Sequence, residues 1–216
     1  KRTSDKIGKN CSAMPEDIVK LQKTNPKEYV EKVVAYINSV ADNDFEKIKM
    51  VFDIEQEILT YDHETWQKSL QKIAIAKKGV GEDYKLYKKN LNELSKKAPK
   101  DYPDQSWKNV LESGTCVCNG YAQLMQYFCY KLGIKCAWIS NPEDMIFAEG
   151  HAWNIVEING EHYHLDATWG PSWLFMEPEA FLKGGHFPKE PEQQLLEKPM
   201  TLDEYKKLKN YKGNNS

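Results

Sequence analysis

The sequence predicts an α+β fold in which helices come first and an antiparallel sheet follows. Two observations carry this prediction. Apolar side chains recur at steps of three or four through residues 30–59, as they do along one buried face of a helix. Beyond residue 150, runs rich in β-branched and aromatic residues flank Asn159-Gly160, a pair typical of a two-residue hairpin turn. With 216 residues and neither a repeat nor a linker, we expect a single domain over residues 1–216.

Two helices in the first 60 residues are predicted from their capping residues. Asn25-Pro26-Lys27-Glu28 places an asparagine cap three residues before a glutamate, with proline at the first helical position. Asn43 and Glu46 repeat the same spacing. We therefore expect one helix that reaches residue 40 and a second that ends near residues 60–62.

The rest of the chain is predicted to form further helices and then three strands. Residues 63–105 are less informative, with a helix expected only around 84–94. A short helix is expected at 107–112 and a longer one through 121–132, where Gly133 marks the C-terminal end. The predicted strands cover residues 134–140, 152–158 and 161–168, with a loop over 141–150.

Composition excludes two classes of partner. Lysine and arginine number 30 against 32 acidic residues, and only Arg2 is an arginine. Because bidentate recognition of phosphates and bases depends on arginine, we expect no nucleic-acid partner. The longest apolar runs are only a few residues long, so no membrane span is expected either. The chain begins at Lys1 rather than methionine, which favours a processed, extracytoplasmic or secreted protein.

Cys118 has the placement of a reactive cysteine. It is one of five cysteines, an odd number that leaves at least one thiol without a partner in the chain. It stands where the 121–132 helix would begin, and a helix N-terminus favours a thiolate and can bind an oxyanion. Taken alone, a cysteine is more often a buried structural residue. The assignment therefore depends on finding a base beside it.

The predicted hairpin supplies a base and a group to orient it. A two-residue turn makes Trp153 oppose Asp166, so that His151 and Asp166 share one face of the sheet on a diagonal. Backbones about 7–8 Å apart on such a diagonal let the two side chains meet. A three-residue turn would place them on opposite faces. The candidate catalytic residues are therefore Cys118, His151 and Asp166.

A metal site is the alternative interpretation of the same strand. His162, His164 and Asp166 alternate along residues 161–168 and would project from one face, an array suited to zinc or another divalent metal. Cys116 and Cys118 could add sulfur ligands, although Cys-x-Cys lacks the usual two-residue gap.

Three segments together resemble the core motifs of the transglutaminase-like superfamily. They read Cys118-Asn119-Gly120-Tyr121-Ala122, Gly150-His151-Ala152-Trp153-Asn154 and His164-Leu165-Asp166-Ala167-Thr168-Trp169. They match the patterns Cys-x-Gly-Tyr-Ala, Gly-His-Ala-Trp-Asn and Asp-x-Thr-Trp, in that order. Residues 181–205 are further similar to the kyphoscoliosis peptidase branch, although Gln193 stands where that branch usually has tryptophan. The resemblance covers about residues 40–205, which leaves 1–40 as an N-terminal helical extension.

The resemblance implies a papain-like, transglutaminase-core fold, with a nucleophile helix packed on an antiparallel sheet. It implies that Cys118 is the nucleophile, His151 the general base and acid, and Asp166 the group that orients the imidazole. Cys116 is then a wall residue or a disulfide partner. Trp153 and Trp169 are expected in the core and in the cleft wall.

The implied reaction is acyl transfer on peptide or isopeptide amides through a cysteine thioester, with hydrolysis preferred. A protein or peptide is the implied substrate, and neither a metal nor an organic cofactor is needed. The calcium sites of animal transglutaminases have no identifiable counterpart. Two alternatives remain: a protein-crosslinking transglutaminase, and a catalytically silent protein-binding module with the same fold.

Overall fold

A computed structural model describes residues 14–97, 104–140 and 150–175 of the chain. Within these ranges the helices are α1 (Glu16–Val19), α2 (Leu21–Thr24), α3 (Pro26–Val40), α4 (Asp44–Ile58), α5 (His63–Lys77), α6 (Tyr84–Lys97), α7 (Trp107–Ser113) and α8 (Cys118–Leu132). The strands are β1 (Thr60–Tyr61), β2 (Thr115–Cys116), β3 (Cys136–Ser140), β4 (Ala152–Ile158) and β5 (Glu161–Leu165). Two 3₁₀ turns follow at Ala167–Trp169 and Pro171–Trp173. The mixed helical and antiparallel architecture confirms the α+β prediction.

The two predicted helix caps are present. The side chain of Asn25 accepts a hydrogen bond from the Glu28 N–H at the start of α3. Asn43 accepts one from the Glu46 N–H at 3.0 Å at the start of α4. Both helices therefore begin where the capping pattern predicts, and they bury the apolar face that the spacing indicates.

Helix α8 runs through the middle of the core. It contacts α3, α4 and α7 on one side and strands β3 and β4 on the other. Gly133 ends it in a left-handed conformation at φ +74°, and the Ile134 N–H bonds back to the Cys129 carbonyl at 2.9 Å. In the described part of the chain, the largest fully buried side chains are Trp153, Tyr29, Phe52, Phe128, Phe175, Ile37, Ile48, Leu111, Leu124, Met125 and Ile139.

The sheet has the antiparallel order β3-β4-β5. Asn159 and Gly160 both have positive φ, 55° and 79°, as a type I′ turn requires, and Ile158 pairs with Glu161. The predicted two-residue turn and its register are therefore confirmed. That register fixes which side chains of β4 and β5 share a face as far as the Asn154–Leu165 pair.

The predicted strand ends are wrong in two places. β3 begins at Cys136 rather than residue 134, and β5 ends at Leu165 rather than residue 168. The last pair of the β4–β5 ladder is Asn154 with Leu165. Beyond it the Asp166 N–H bonds to the Trp173 carbonyl at 2.9 Å instead of to β4, because the chain turns into the 3₁₀ segments.

Three further elements differ from the predictions. α4 ends at Ile58, and after Leu59 the residues Thr60 and Tyr61 form β1, which pairs in parallel with β2. Strands of two residues are too short to show a periodic pattern. α5 was not predicted because it buries few residues and so has only a weak apolar stripe. The predicted 141–150 loop, apart from Gly150, and the 181–205 resemblance lie outside the described residues.

Within the ranges that the structure describes, no helix is both long enough and apolar enough to cross a membrane.

Candidate active site

Cys118 is the first residue of α8. Strand β2 leads to it, and Val117 forms the N-cap in an extended conformation. The first N–H groups of an α-helix have no partner within the helix, and Val117 has no side-chain group that could cap those of α8. The side chain of Cys118 is partly exposed, whereas Cys116, Cys129 and Cys136 are buried free thiols. Cys118 is therefore the accessible thiol among the cysteines that the structure describes.

His151 and Asp166 face each other at the open end of the hairpin. His151 lies directly before β4 and Asp166 directly after β5. The last β4–β5 pair is Asn154 with Leu165, so Asp166 lies one residue and His151 three residues beyond that pair. The His151 Nε2 and Asp166 Oδ2 atoms are 2.5 Å apart. The other carboxylate oxygen of Asp166 accepts the Thr168 N–H at 3.0 Å, which fixes the carboxylate within a buried setting. The structure thus brings together the pair that the hairpin register predicted.

The same imidazole contacts the thiol of Cys118. Because Asp166 occupies Nε2, the ring nitrogen left for the sulfur is Nδ1. Burial alone lowers the pKa of His151, but the hydrogen bonds and charges of Asp166 and Cys118 outweigh it and raise that pKa to about 10. His151 is therefore an imidazolium at neutral pH, held between a carboxylate and a sulfur.

Aromatic rings surround the imidazole. Trp169 stacks on His151 with ring centroids 4.9 Å apart, and Trp153 lies nearly parallel to it at 5.9 Å. Trp153 is buried, whereas Trp169 is 45% exposed and meets Trp173 edge to face at 4.8 Å. Trp153 therefore lies in the core, as expected, and the place of Trp169 in a cleft wall stays a prediction. The exposed indole also screens one side of the imidazole from water.

Comparison with known proteins shows what the segment that carries this arrangement is similar to. Residues 84–167 match the family model described as Transglutaminase-like superfamily, and this range contains the cysteine, the histidine and the aspartate. Over this range the chain is similar to the transglutaminase-like superfamily.

Similarity to individual members of the superfamily is distant. The kyphoscoliosis peptidases of Mus musculus and Homo sapiens are each 25% identical over 121 residues, a match that covers 45% of this chain and 18% of the relative. The chain thus spans less than a fifth of the length of these relatives. A solved structure, "Crystal structure of a TGase", is similar at 16% identity with a TM-score of 0.43, over 76% of this chain and 36% of that one.

The side chains of the alternative metal site have other partners in the structure. His162 Nε2 lies 3.4 Å from a Glu157 carboxylate oxygen. His164 Nδ1 accepts the Trp153 Nε1–H at 3.0 Å, and Asp166 is bonded to His151. Across residues 14–97, 104–140 and 150–175, no group of three or more histidine, cysteine, aspartate or glutamate side chains is placed to hold a metal ion.

Cys116 is the other cysteine beside the site, and it does not compete as a nucleophile. Its side chain is fully buried, and burial raises the pKa of its thiol, with a further contribution from Glu55. An inaccessible protonated thiol is unreactive. Cys116 is therefore a buried free thiol in the structure, while Cys11 lies outside the described residues.

One residue at the site was missed by the sequence analysis. The Oε1 atom of buried Gln105 accepts the Val117 N–H at 3.0 Å, directly before the candidate nucleophile. An isolated glutamine outside any periodic segment carries no local signal. A contact between residues twelve positions apart becomes visible only in three dimensions.

Proposed function

We propose that this protein is a cysteine-dependent acyl-transfer enzyme that acts on peptide or isopeptide amides and passes the acyl group to water. The observation that carries the proposal is the contact of one imidazole with both the buried Asp166 carboxylate and the Cys118 thiol. A nucleophile, a base and a group that orients the base are the parts that thiol catalysis requires. Cys118 supplies the nucleophile, His151 the base and Asp166 the group that orients the base.

The proposed reaction has two halves. The Cys118 thiolate attacks the carbonyl carbon of the amide, and the Cys118 N–H at the helix N-terminus stabilises the oxyanion. The C–N bond breaks as His151 gives its proton to the leaving nitrogen, which leaves a thioester on Cys118. His151 then takes a proton from water, the hydroxyl attacks the thioester, and the carboxylic acid departs as the thiolate is restored.

Asp166 acts in this scheme through His151 rather than on the substrate. Its Oδ2 atom holds Nε2, which keeps Nδ1 toward the sulfur and stabilises the imidazolium. The Thr168 N–H holds the second carboxylate oxygen, so that the carboxylate keeps one orientation.

The choice of acceptor separates hydrolysis from crosslinking. Water gives a peptidase or amidase, and an amine gives a transglutaminase. The name of the curated relatives, kyphoscoliosis peptidase, favours water. A silent binding module of the same fold is less well supported, because it would have no need for a buried carboxylate bonded to an imidazole that contacts a thiol.

A direct test offers both acceptors at once. The protein is incubated with a glutamine-containing peptide library and a biotinylated primary amine, and Cys118→Ala is the control. Mass spectrometry then detects cleaved peptides, deamidated peptides, amine adducts and an acyl adduct on Cys118. We expect hydrolysed products and a trapped acyl-enzyme from the wild type alone. Amine adducts as the main product would favour crosslinking, and equal products from Cys118→Ala would contradict the proposal.

A further inference from the structure

The segment that leads to Cys118 is held by hydrogen bonds on both of its edges. The Thr60 N–H bonds to the Gly114 carbonyl and the Asp62 N–H bonds to the Cys116 carbonyl, each at 2.9 Å. The next N–H, that of Val117, lies beyond the β1–β2 pair and bonds instead to the side chain of Gln105. Two of these contacts are made by backbone groups, so Gln105 is the side chain that fixes the approach to the nucleophile.

The first turn of α8 is shaped to admit this side chain. A Cβ atom on Gly120 would lie 2.8 Å from Gln105 Oε1 and 2.5 Å from Cys116 Cβ, both closer than real Cβ contacts. The Gly120 N–H bonds to the Val117 carbonyl at 2.9 Å. The peptide groups on either side of Val117 are thus held from two directions, by Gln105 through the N–H and by Gly120 through the carbonyl.

We propose that Gln105 is a positioning residue that holds Cys118 against His151 by fixing the Val117 N–H. The proposal rests on the function proposed above for Cys118 and His151. Cys118 follows Val117 directly, so a rotation of the Val117 peptide moves both the sulfur and the N–H that faces the oxyanion. The buried carboxamide, at 3.0 Å from the Val117 nitrogen, opposes that rotation together with the Asp62 N–H, which holds the carbonyl end of the same peptide group.

Two other glutamines in the described part of the chain provide matched controls. Gln22 and Gln126 are as buried as Gln105. Each donates its Nε2–H to a backbone carbonyl at 3.2 Å, that of Leu111 and that of Cys136 respectively. Replacing them removes a buried hydrogen bond between a glutamine side chain and the backbone, with the amide as donor rather than acceptor, without touching the segment before Cys118.

The test is a double-mutant cycle on thiol reactivity. The rate of iodoacetamide labelling of Cys118 at pH 6.5 is measured by mass spectrometry in the wild type, Gln105→Met, Gln105→Asn, Gln105→Glu, Gln22→Met and Gln126→Met. Each is prepared with His151 and with His151→Ala. The ratio of the two labelling rates, with His151 and with His151→Ala, reports how strongly the imidazole activates the sulfur. Changes in rate that do not involve the imidazole cancel in this ratio. Gln105→Asn keeps the amide but is one methylene too short to reach Val117.

We expect His151→Ala to slow labelling by about 10-fold or more in the wild type and in both control backgrounds. In Gln105→Met and Gln105→Asn the ratio should fall to about 3-fold or less, whereas Gln105→Glu, which keeps an acceptor at the same distance, should retain it. An unchanged ratio in Gln105→Met or, if that variant does not fold, in Gln105→Asn overturns the positioning role alone. Labelling that does not depend on His151 in the wild type overturns the proposed function together with this role.

Discussion

The electrostatics of His151 depend strongly on its neighbours. Asp166 and Cys118 raise its pKa to about 10, well above the ordinary value of 6.5, although burial opposes them. Between pH 6.5 and pH 10 the folded protein therefore keeps a proton on His151 that the unfolded chain has already lost. The stability that this pair contributes is complete below pH 6.5 and is lost as the pH rises toward 10.

Replacing Asp166 with asparagine tests this linkage. In Asp166→Asn the charge that favours the imidazolium is absent, so the free energy of unfolding should fall less steeply from pH 6.5 to pH 10 than in the wild type. Urea unfolding at several pH values measures the slope. The exposed Asp104→Asn variant should keep the wild-type slope. Parallel slopes for the wild type and Asp166→Asn would contradict the assigned pair.

Trp169 should support the charged form of the same imidazole. Its face stacks on the His151 ring, and such cation–π contacts are worth about 0.5–2 kcal/mol. We expect Trp169→Leu to lower the pKa of His151 by up to about one pH unit, and Trp169→Phe to lower it less. NMR titration of the His151 ring protons measures this value. A pKa that is the same in Trp169→Leu would show that the indole is only a wall.

Among single residues, the sequence alone indicated Cys118, His151 and Asp166, because a short turn and a period of two relate the last two directly. Gln105 had no such signal, since its partner lies on a different element. Local patterns therefore locate groups on one hairpin or one helix, and they miss contacts between elements.

At the scale of elements, the close packing at the start of α8 makes an unusual prediction for Gly120. Glycine to alanine inside a helix ordinarily stabilises it by about 1 kcal/mol. Here the added Cβ would lie 2.5 Å from Cys116 Cβ, so Gly120→Ala should instead destabilise the protein, by about 1–3 kcal/mol for an overpacked core. Thermal unfolding measures the change. A higher melting temperature in Gly120→Ala would show that this packing is looser than described.

The elements also show where sequence patterns stop being informative. Capping residues and Asn159-Gly160 predicted the starts of α3 and α4 and the β4–β5 turn, because each depends on a few adjacent residues. The end of β5 was wrong because a bond from Asp166 to Trp173 ends the strand, and Trp173 belongs to a later turn. β1 and β2 were missed because they stabilise each other across more than fifty residues.

At the scale of the whole molecule, Glu55 is a buried carboxyl group within the main core. It is fully buried, and neither carboxyl oxygen has a hydrogen-bond partner among the described residues. Burial, and then the nearby Cys129, raise the pKa of Glu55 well above its ordinary value. The folded protein therefore binds a proton that the unfolded chain releases above about pH 4.5, and stability decreases as the pH rises from there.

Glu55→Met should accordingly stabilise the protein. An apolar side chain of similar size removes the cost of burying the carboxyl group, and we expect a gain of about 1–3 kcal/mol at pH 7. The dependence of stability on pH above 4.5 should also become flatter. Glu57→Met, on the exposed side of the same helix, should change stability by less than about 0.5 kcal/mol. A loss of stability in Glu55→Met would mean that the carboxyl group has a favourable partner.

The central claim is that Cys118 and His151 work as a nucleophile and its base. The most direct measurement is the alkylation rate of each cysteine against pH, mapped by mass spectrometry, in the wild type, Cys118→Ala, His151→Ala and Asp166→Ala. The account predicts rapid labelling of Cys118 at neutral pH, slowed about 10-fold or more by His151→Ala and less by Asp166→Ala. Slow labelling of Cys118 at a rate that His151→Ala does not change, or preferential labelling of Cys116, would contradict this claim.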